Sequence, residues 1–220
     1  MSAPALSERE PRWPAVVALL VVGLLNLALP PHLTLGPRWL PLAIIALFLC
    51  PIGFAHVRDR QHLSQVLGHF ISGLTTVFLG SSVILLVSTL PLHKENGSEL
   101  LKSAGCIWLS NVINFALWYW RLDAGGPVER ERVPGHASGD FLFPQMTLPK
   151  PSDAAPGEPS NYPWSPGFVD YLFLAFNTST ALSPTDVPVL SRWAKVLMML
   201  QSSISLVVIA ILASRAVNIM

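Results

Sequence analysis

The residues with the most suggestive chemistry form a short polar run near the C-terminus, between two apolar stretches. This run is Asn177-Thr178-Ser179-Thr180-Ala181-Leu182-Ser183-Pro184-Thr185-Asp186. The apolar stretch before it, Val169 to Phe176, is too short to cross a bilayer, whereas the helix after it, about Arg192 to Ser214, is long enough. This order predicts a re-entrant segment, in which a half-helix enters the membrane and the chain returns through polar residues. Such backbone at membrane depth must be buried in protein or face water, so we expect a pore, a vestibule or a packed interface.

Polar residues within two of the apolar helices belong to the same hypothesis. Gln201 and Ser205 lie four residues apart on one face of the last helix, with Ser202 beside them. They are predicted to line a path or to bond to a neighbouring subunit. The alternative is that the hydroxyls bond to their own helix and that Gln201 joins one helix to another. Asn111 and Asn114 share a face of the fourth helix, which favours hydrogen bonding between helices over substrate contact.

The composition of the chain excludes several classes of function. Its 220 residues are 51% hydrophobic and 12% charged, against about 25% charged in a typical soluble domain. A net charge of +1 gives no reason to expect a nucleic-acid partner. Cys50 and Cys106 lie inside apolar runs, without a disulfide framework or a metal-binding pattern. Because the sequence contains no glycine-rich phosphate loop, metalloprotease motif, nucleophile elbow or paired carboxylates, we expect no enzyme activity, catalytic residue, metal or cofactor.

Long apolar runs predict an all-α integral membrane protein with about five transmembrane helices plus a re-entrant, pore-loop-like half-helix before the last span. Residues 1–120 are expected to hold four spans, and 167–220 the hairpin and last span. The first four predicted spans are Pro14–Leu29, Arg38–His56, Val66–Leu90 and Leu101–Trp120. The third is dense in small residues and is therefore predicted to lie at the centre of the bundle. The fourth ends in Trp118-Tyr119-Trp120-Arg121, which is typical of an aromatic belt at the membrane interface.

Residues 121–166 are rich in proline and glycine and form the only extended non-membrane region of the prediction. We expect them to make an ordered but irregular cap over the polar run. With five spans, this region shares one side of the membrane with the N-terminus, the Arg58/Arg60 loop and Arg192/Lys195. The positive-inside rule makes that side cytoplasmic, so the hairpin would enter from the cytoplasm. The alternative, a sixth short span over 168–185, is disfavoured by Asp170, Asn177 and Pro184.

Three segments resemble an uncharacterised group of bacterial membrane proteins related to the family called domain of unknown function 1345. They are Trp118-Tyr119-Trp120-Arg121-Leu122-Asp123-Ala124-Gly125-Gly126-Pro127, Asp140-Phe141-Leu142-Phe143-Pro144-Gln145-Met146 and Ser191-Arg192-Trp193-Ala194-Lys195. The resemblance implies a multi-pass protein of the bacterial inner membrane and brings no activity with it.

The hairpin alone resembles the pore domain of tetrameric potassium channels, where a pore helix ends in a threonine-rich run, followed by a T-V-G-Y-G filter, an aspartate and the inner helix. Residues 177–180 resemble the end of the pore helix, and Asp186 stands where that aspartate would be. Both filter glycines are replaced, by Ser183 and Thr185, and Pro184 fixes its φ near −65°. A filter that aims successive carbonyls at the ion needs the conformations that glycine allows. We therefore expect no potassium selectivity of the usual kind.

The function predicted from these patterns is a channel-like pore formed by a homo-oligomer, with a tetramer as one candidate. A ring of Asp186 side chains would give a mild preference for monovalent cations. The first alternative is a non-conducting assembly or scaffold protein, whose hairpin only packs in the lipid bilayer. The second is a small-solute carrier, which the lack of an inverted repeat disfavours.

Overall fold

The computed structural model describes residues 10–58, 61–89, 97–132, 139–149, 164–180 and 186–219, and the statements that follow concern these residues. Seven α-helices form the fold: α1 Trp13–Leu27, α2 Leu40–Val57, α3 Gln61–Thr89, α4 Gly97–Leu122, α5 Pro127–Arg132, α6 Phe168–Thr180 and α7 Arg192–Ile219. Short 3-10 turns lie at Pro31–Leu33, Asp123–Gly125 and Pro144–Thr147. Within this part of the chain, extended pairing is confined to one bridge between Phe141 and Val189, so the predicted all-α fold is confirmed.

Three helices are long and apolar enough to cross a membrane, over His62–Thr89, Gly97–Gly125 and Arg192–Ser214. These are α3, α4 and α7. Two further apolar helices are shorter, at Trp13–Leu27 and Leu40–Gly53. The 15 residues of α1 rise only about 22 Å, against a hydrocarbon core of about 30 Å. The membrane character predicted from the sequence therefore rests on three helices.

Helix α4 lies at the centre of the bundle and packs against α1, α3, α6 and α7. Of its most apolar segment 67% is buried inside the protein, compared with 39% for α3 and 22% for α7. The central position predicted for α3 from its small residues is therefore wrong. Two of those residues, Gly73 and Gly80, have no atom within 4 Å of the position a Cβ would take, so they do not mark a close helix contact.

The end of α4 is shaped by a reversal of the backbone and by one buried arginine. Ala124, Gly125 and Gly126 have φ values of 51°, 77° and 91°, and a Cβ at Gly126 would lie 2.6 Å from the Arg121 carbonyl oxygen. This turn brings α5 back against α4. The Arg130 guanidinium donates to the carbonyl oxygens of Trp120 and Asp123, both at 2.9 Å. A cation bonded to the last carbonyls stabilises a helix C-terminus.

The described part of the predicted cap is held to the bundle by an aromatic cluster around Phe141. This side chain is fully buried, and its ring centroid lies 5.3 Å from that of Tyr119, 6.3 Å from that of Tyr171 and 6.1 Å from that of Trp193. The cluster therefore joins the cap to α4, α6 and α7 at once. Residues 133–138 and 150–163 of the predicted cap lie outside the described residues.

Candidate functional site at the α4–α6–α7 contact

Helices α6 and α7 are neighbours in the chain and run parallel. At one end, the Asp123 carboxylate accepts hydrogen bonds from the Tyr171 hydroxyl at 2.6 Å and from the Asp140 backbone N–H at 2.5 Å. The Asp140 carboxylate in turn accepts a bond from the Trp193 indole at 3.0 Å. The beginnings of α6 and α7 are thus tied to the same end of α4. Further along, α6 contacts Gln201 of α7, so residue numbers rise in the same direction in both helices.

Parallel neighbours require the intervening segment to travel back along their length. Helix α6 has 13 residues and rises about 20 Å. The eleven residues 181–191 between the two helices can reach about 36 Å when extended, which is enough for the return. The start of α7 therefore lies at the same end of the bundle as the start of α6.

The side chain of Gln201 is the hub of the contact between α4, α6 and α7. Its oxygen accepts a hydrogen bond from the Tyr119 hydroxyl at 2.5 Å. Its nitrogen donates to the Ala175 carbonyl and to the Ser179 hydroxyl, both at 2.7 Å. Gln201, Ser179 and Tyr119 have no exposed surface in the protein. We call Gln201, Tyr119, Ala175 and Ser179 the Gln201 cluster; it consists of uncharged amide, hydroxyl and carbonyl groups that fix three helices against each other.

Ser205, Asn111 and Ser202 extend this contact along α7. The Asn111 amide nitrogen donates to the Gln201 backbone carbonyl at 3.1 Å and to the Ser205 hydroxyl at 2.9 Å. Ser202 donates to the Thr178 carbonyl at 3.4 Å. Ser205 and Asn111 are fully buried, and Ser202 is partly buried. Within one chain, all three residues predicted to line a path, Gln201, Ser202 and Ser205, hydrogen-bond to other helices of the same chain.

Asn114 joins α4 to α3 instead. Its oxygen accepts from Thr75 at 2.6 Å, and its nitrogen donates to Thr76 at 2.9 Å. The Trp118 indole donates to the same Thr76 hydroxyl at 2.8 Å. Although Asn111 and Asn114 are only three residues apart, they bond to different neighbours, α7 and α3.

The predicted polar run is described only at its two ends. Thr178 and Ser179 are buried, Asn177 is partly buried, and Thr180 is exposed at the C-terminus of α6. The Thr178 and Thr180 hydroxyls donate to carbonyls of their own helix, at 2.8 and 2.9 Å. Asp186 is exposed. The filter-like residues Ala181, Leu182, Ser183, Pro184 and Thr185 lie outside the described residues.

An acidic side chain, Asp170, lies at the start of α6. The Asp170 carboxylate accepts a hydrogen bond from the Gly167 backbone N–H at 2.7 Å, which satisfies one of the free donors at the helix N-terminus. Burial raises the pKa of Asp170 above its ordinary value, and the hydrogen bond from Gly167 opposes that rise. Among the described residues, no group of three or more histidine, cysteine and acidic side chains is placed to hold a metal ion.

Several residues important to this site were not identified from the sequence. The sequence predicts that Tyr119 belongs to an interfacial aromatic belt, but it is fully buried. Asp123 and Arg130 belong to the predicted non-membrane region, but both are buried, and Arg130 bonds to the end of α4. One signal was present for Tyr119, since a spacing of eight residues, about two turns, places it on the same face of α4 as Asn111. The contacts of Asp123 and Arg130 depend on chain reversals that have no periodic signature.

Comparison of the chain with protein-family models, with curated proteins and with solved structures finds no match.

Proposed function

We propose that the chain is a multi-pass membrane protein with five spans, α1, α2, α3, α4 and α7, and that α6 is a re-entrant half-helix. The parallel packing of α6 and α7 supports this arrangement, because two consecutive full spans would be antiparallel. Helices α1 and α2 pack against each other. Helix α1 also packs against α4, and α2 packs against α3. They expose large apolar side chains such as Leu24 and Leu47, at 54% and 70%, which suit a lipid environment.

We further propose that the hairpin is a packing element, and that the protein serves as a non-conducting assembly or scaffold unit of a bacterial inner membrane. The observation that carries this proposal is the Gln201 cluster. Every polar group of the Gln201 side chain is used within one chain, and the same side of α7 also bonds to Asn111. Apart from Ser203, the middle of the exposed face of α7 is apolar, with Val196, Met199, Leu200 and Leu206 at 46–61% exposure. Such a face fits lipid or a second copy of the chain better than water.

Water accessibility of cysteine substitutions tests this proposal. In a background with Cys50 and Cys106 replaced by serine, we expect Ser205→Cys to be inert to a membrane-impermeant thiol reagent, because Ser205 is buried between α4 and α7. Asp186→Cys, at an exposed position, should react and serves as the positive control. Leu206→Cys, on the apolar outer face, should be as inert as Ser205→Cys. A Ser205→Cys reaction as fast as that of Asp186→Cys means that this face meets water and that the packing proposal is wrong.

A channel-like pore is the second candidate. Thr180 and Asp186 are both exposed, and they flank residues 181–185, which we call the return segment. Their exposure favours this candidate. In this version an oligomer surrounds the path, and Asp186 attracts monovalent cations. Purified protein in planar bilayers should then pass cation current that Asp186→Asn reduces. If no monovalent cation carries a current, this candidate is wrong. A monomeric mass in mass photometry would also exclude it.

We also propose that the chain is related to the family called domain of unknown function 1345. It is supported by the segment Trp118–Pro127, which contains the end of α4 and the glycines that reverse the chain. A sequence profile built from close homologues of this chain should recover that family through this segment. Recovery through the apolar helices alone would not support the relation.

A further inference from the structure

A cavity separate from the Gln201 cluster lies among α1, α2, α3, α4 and α5, at the end of the bundle where α1 and α3 begin and α2 and α4 end. Its volume is about 60 Å³. Its polar lining is Arg12, Ser64, Gln65, His69 and Arg121, and the rest is mainly aliphatic. A cavity that holds a single water has a volume of about 10–15 Å³, so this cavity has room for several waters or one small anionic group.

Arg121 is seated in this cavity by a glycine on α3. A Cβ at Gly68 would lie 2.8 Å from Cζ of Arg121 and closer still to Nη1. The guanidinium therefore occupies the space that any other residue at position 68 would fill. Its Cζ also lies 5.5 Å from the centre of the Trp120 ring. The side chain is thus positioned by α3 and by its own neighbour rather than extended into solvent.

The charge of Arg121 is not balanced by the described residues. The ion pairs among them are Arg130–Glu10 at 3.0 Å and Arg12–Glu131 at 3.6 Å, and neither includes Arg121. Its Nε is buried and has no hydrogen-bond partner in the described part of the chain. Arg121 is partly buried. A partly enclosed cation without a counter-charge is less stable than a paired one, so an anion at this position would be stabilised.

The other polar groups of the lining also fit an anion. The His69 Nδ1 atom lies 2.8 Å from the Gln65 carbonyl oxygen. Because that oxygen can only accept, Nδ1 carries the hydrogen, so the His69 ring is held in place without adding a negative charge to the lining. The lining includes two arginines and no carboxylate. Guanidinium groups bind phosphate through paired N–H donors, which makes phosphate the anion of best fit.

We propose that this cavity binds the phosphate of an anionic phospholipid through the Arg121 guanidinium. Lipid is favoured over a soluble phosphate because the aliphatic lining includes Val16 of α1, which is 36% exposed, and because the neighbouring Leu63 of α3 is 43% exposed. These side chains offer acyl chains an apolar surface next to the charged group. Basic pockets between membrane helices are suited to anionic headgroups for the same reason.

The test compares melting temperatures of the detergent-purified full chain with added lipid or salt. Phosphatidylglycerol should raise the melting temperature of the wild type in a saturable way, since a ligand that binds only the folded state stabilises it, whereas phosphatidylcholine should not. Arg121→Gln should weaken the apparent affinity for phosphatidylglycerol by about ten- to a hundredfold, because a charge-assisted contact is lost. Sodium phosphate forms a separate arm. If it stabilises the wild type as strongly as phosphatidylglycerol does, and Arg121→Gln abolishes the effect, the ligand is a soluble phosphate and the lipid proposal is wrong.

Gly68→Ala keeps the charge of Arg121 but displaces its guanidinium, which is the far end of a flexible side chain and can move at little cost. It should weaken phosphatidylglycerol binding as Arg121→Gln does, while its own melting temperature without lipid stays close to that of the wild type. Gly73→Ala, on the same helix and with nothing within 4 Å, is the matched control and should bind like the wild type. Equal stabilisation by both lipids, or unchanged phosphatidylglycerol binding in Arg121→Gln and Gly68→Ala, overturns the proposal.

Discussion

Replacement of Gln201 by leucine tests whether the Gln201 cluster holds the hairpin against α4. The Gln201 side chain makes three hydrogen bonds, to the Tyr119 hydroxyl, the Ser179 hydroxyl and the Ala175 carbonyl. Side-chain hydrogen bonds between helices in membrane proteins contribute on average about 0.6 kcal/mol and at most about 1.7 kcal/mol each. Three such bonds predict a loss of about 2–5 kcal/mol in the free energy of unfolding. Leucine is similar in size, so a cavity should add little to this loss.

The unfolding free energy can be measured by titrating the protein in mixed micelles with sodium dodecyl sulfate and following tryptophan fluorescence, for which the chain has seven reporters. Ser203→Ala is the matched control, because Ser203 is exposed on the same helix and donates only to the Met199 carbonyl of α7. It should change the unfolding free energy by no more than about 0.5 kcal/mol. A loss for Gln201→Leu below about 1 kcal/mol, or one equal to that of Ser203→Ala, refutes the assignment of Gln201 to helix packing.

A double-mutant cycle separates the bond between Tyr119 and Gln201 from general destabilisation. Tyr119→Phe removes only the hydroxyl that donates to the Gln201 oxygen. Combined with Gln201→Leu, it should give a coupling energy of about 0.6–1.7 kcal/mol. Tyr119→Phe and Ser203→Ala share no partner and should be additive within about 0.5 kcal/mol. Additivity of the first pair would show that the hydrogen bond contributes nothing measurable.

The remaining predictions concern the cap, the start of α6 and one glycine. Arg130→Met should lower the unfolding free energy by about 3–5 kcal/mol in the same titration, because it removes the cation paired with the mostly buried Glu10 carboxylate and the donors to the last carbonyls of α4; a loss below about 1 kcal/mol would contradict this. Since the pKa of Asp170 is higher in the folded state, deprotonation disfavours folding. Wild-type stability should therefore fall, relative to Asp170→Asn, as pH rises from the ordinary carboxyl pKa through the folded one, and parallel pH profiles would contradict it. Gly73→Ala should stabilise the protein by about 0.5–1 kcal/mol, because nothing lies near its added Cβ, and a loss would reveal an unseen contact.

The positions of the helices could be predicted from the sequence because they follow from the lengths of the apolar runs. Their ends could not. Helix α3 begins at Gln61 rather than at Val66, and α4 at Gly97 rather than at Leu101. In both cases polar residues continue the helix beyond the apolar run. Apolar length measures what a bilayer would bury, whereas a helix ends where its backbone hydrogen bonding ends, and the two need not coincide.

The packing of the helices was less predictable than their positions. Small residues in α3 indicated a central helix, but the central helix is α4. Of the α3 glycines Gly68, Gly73 and Gly80, only Gly68 lies against another element, and that element is the Arg121 side chain. A glycine in an apolar helix marks a close contact only when another group lies opposite, and the sequence of one helix does not contain that information.

The same limit explains why a packing role and a pore-lining role for Gln201 could not be separated from the sequence. Either role places a polar patch in the middle of an apolar helix. The structure shows which groups of α4 and α6 bond to the Gln201 side chain. These bonds set the energy needed to expose Gln201 to water in a pore. If Gln201 turned towards water, Tyr119, Ser179 and Ala175 would each lose a partner while buried. Each such bond between helices contributes about 0.6–1.7 kcal/mol, so losing all three would cost about 2–5 kcal/mol. A pore in this protein would therefore use the outer faces of α6 and α7 or the return segment between them, and its conductance would be insensitive to Gln201 as long as the fold is intact.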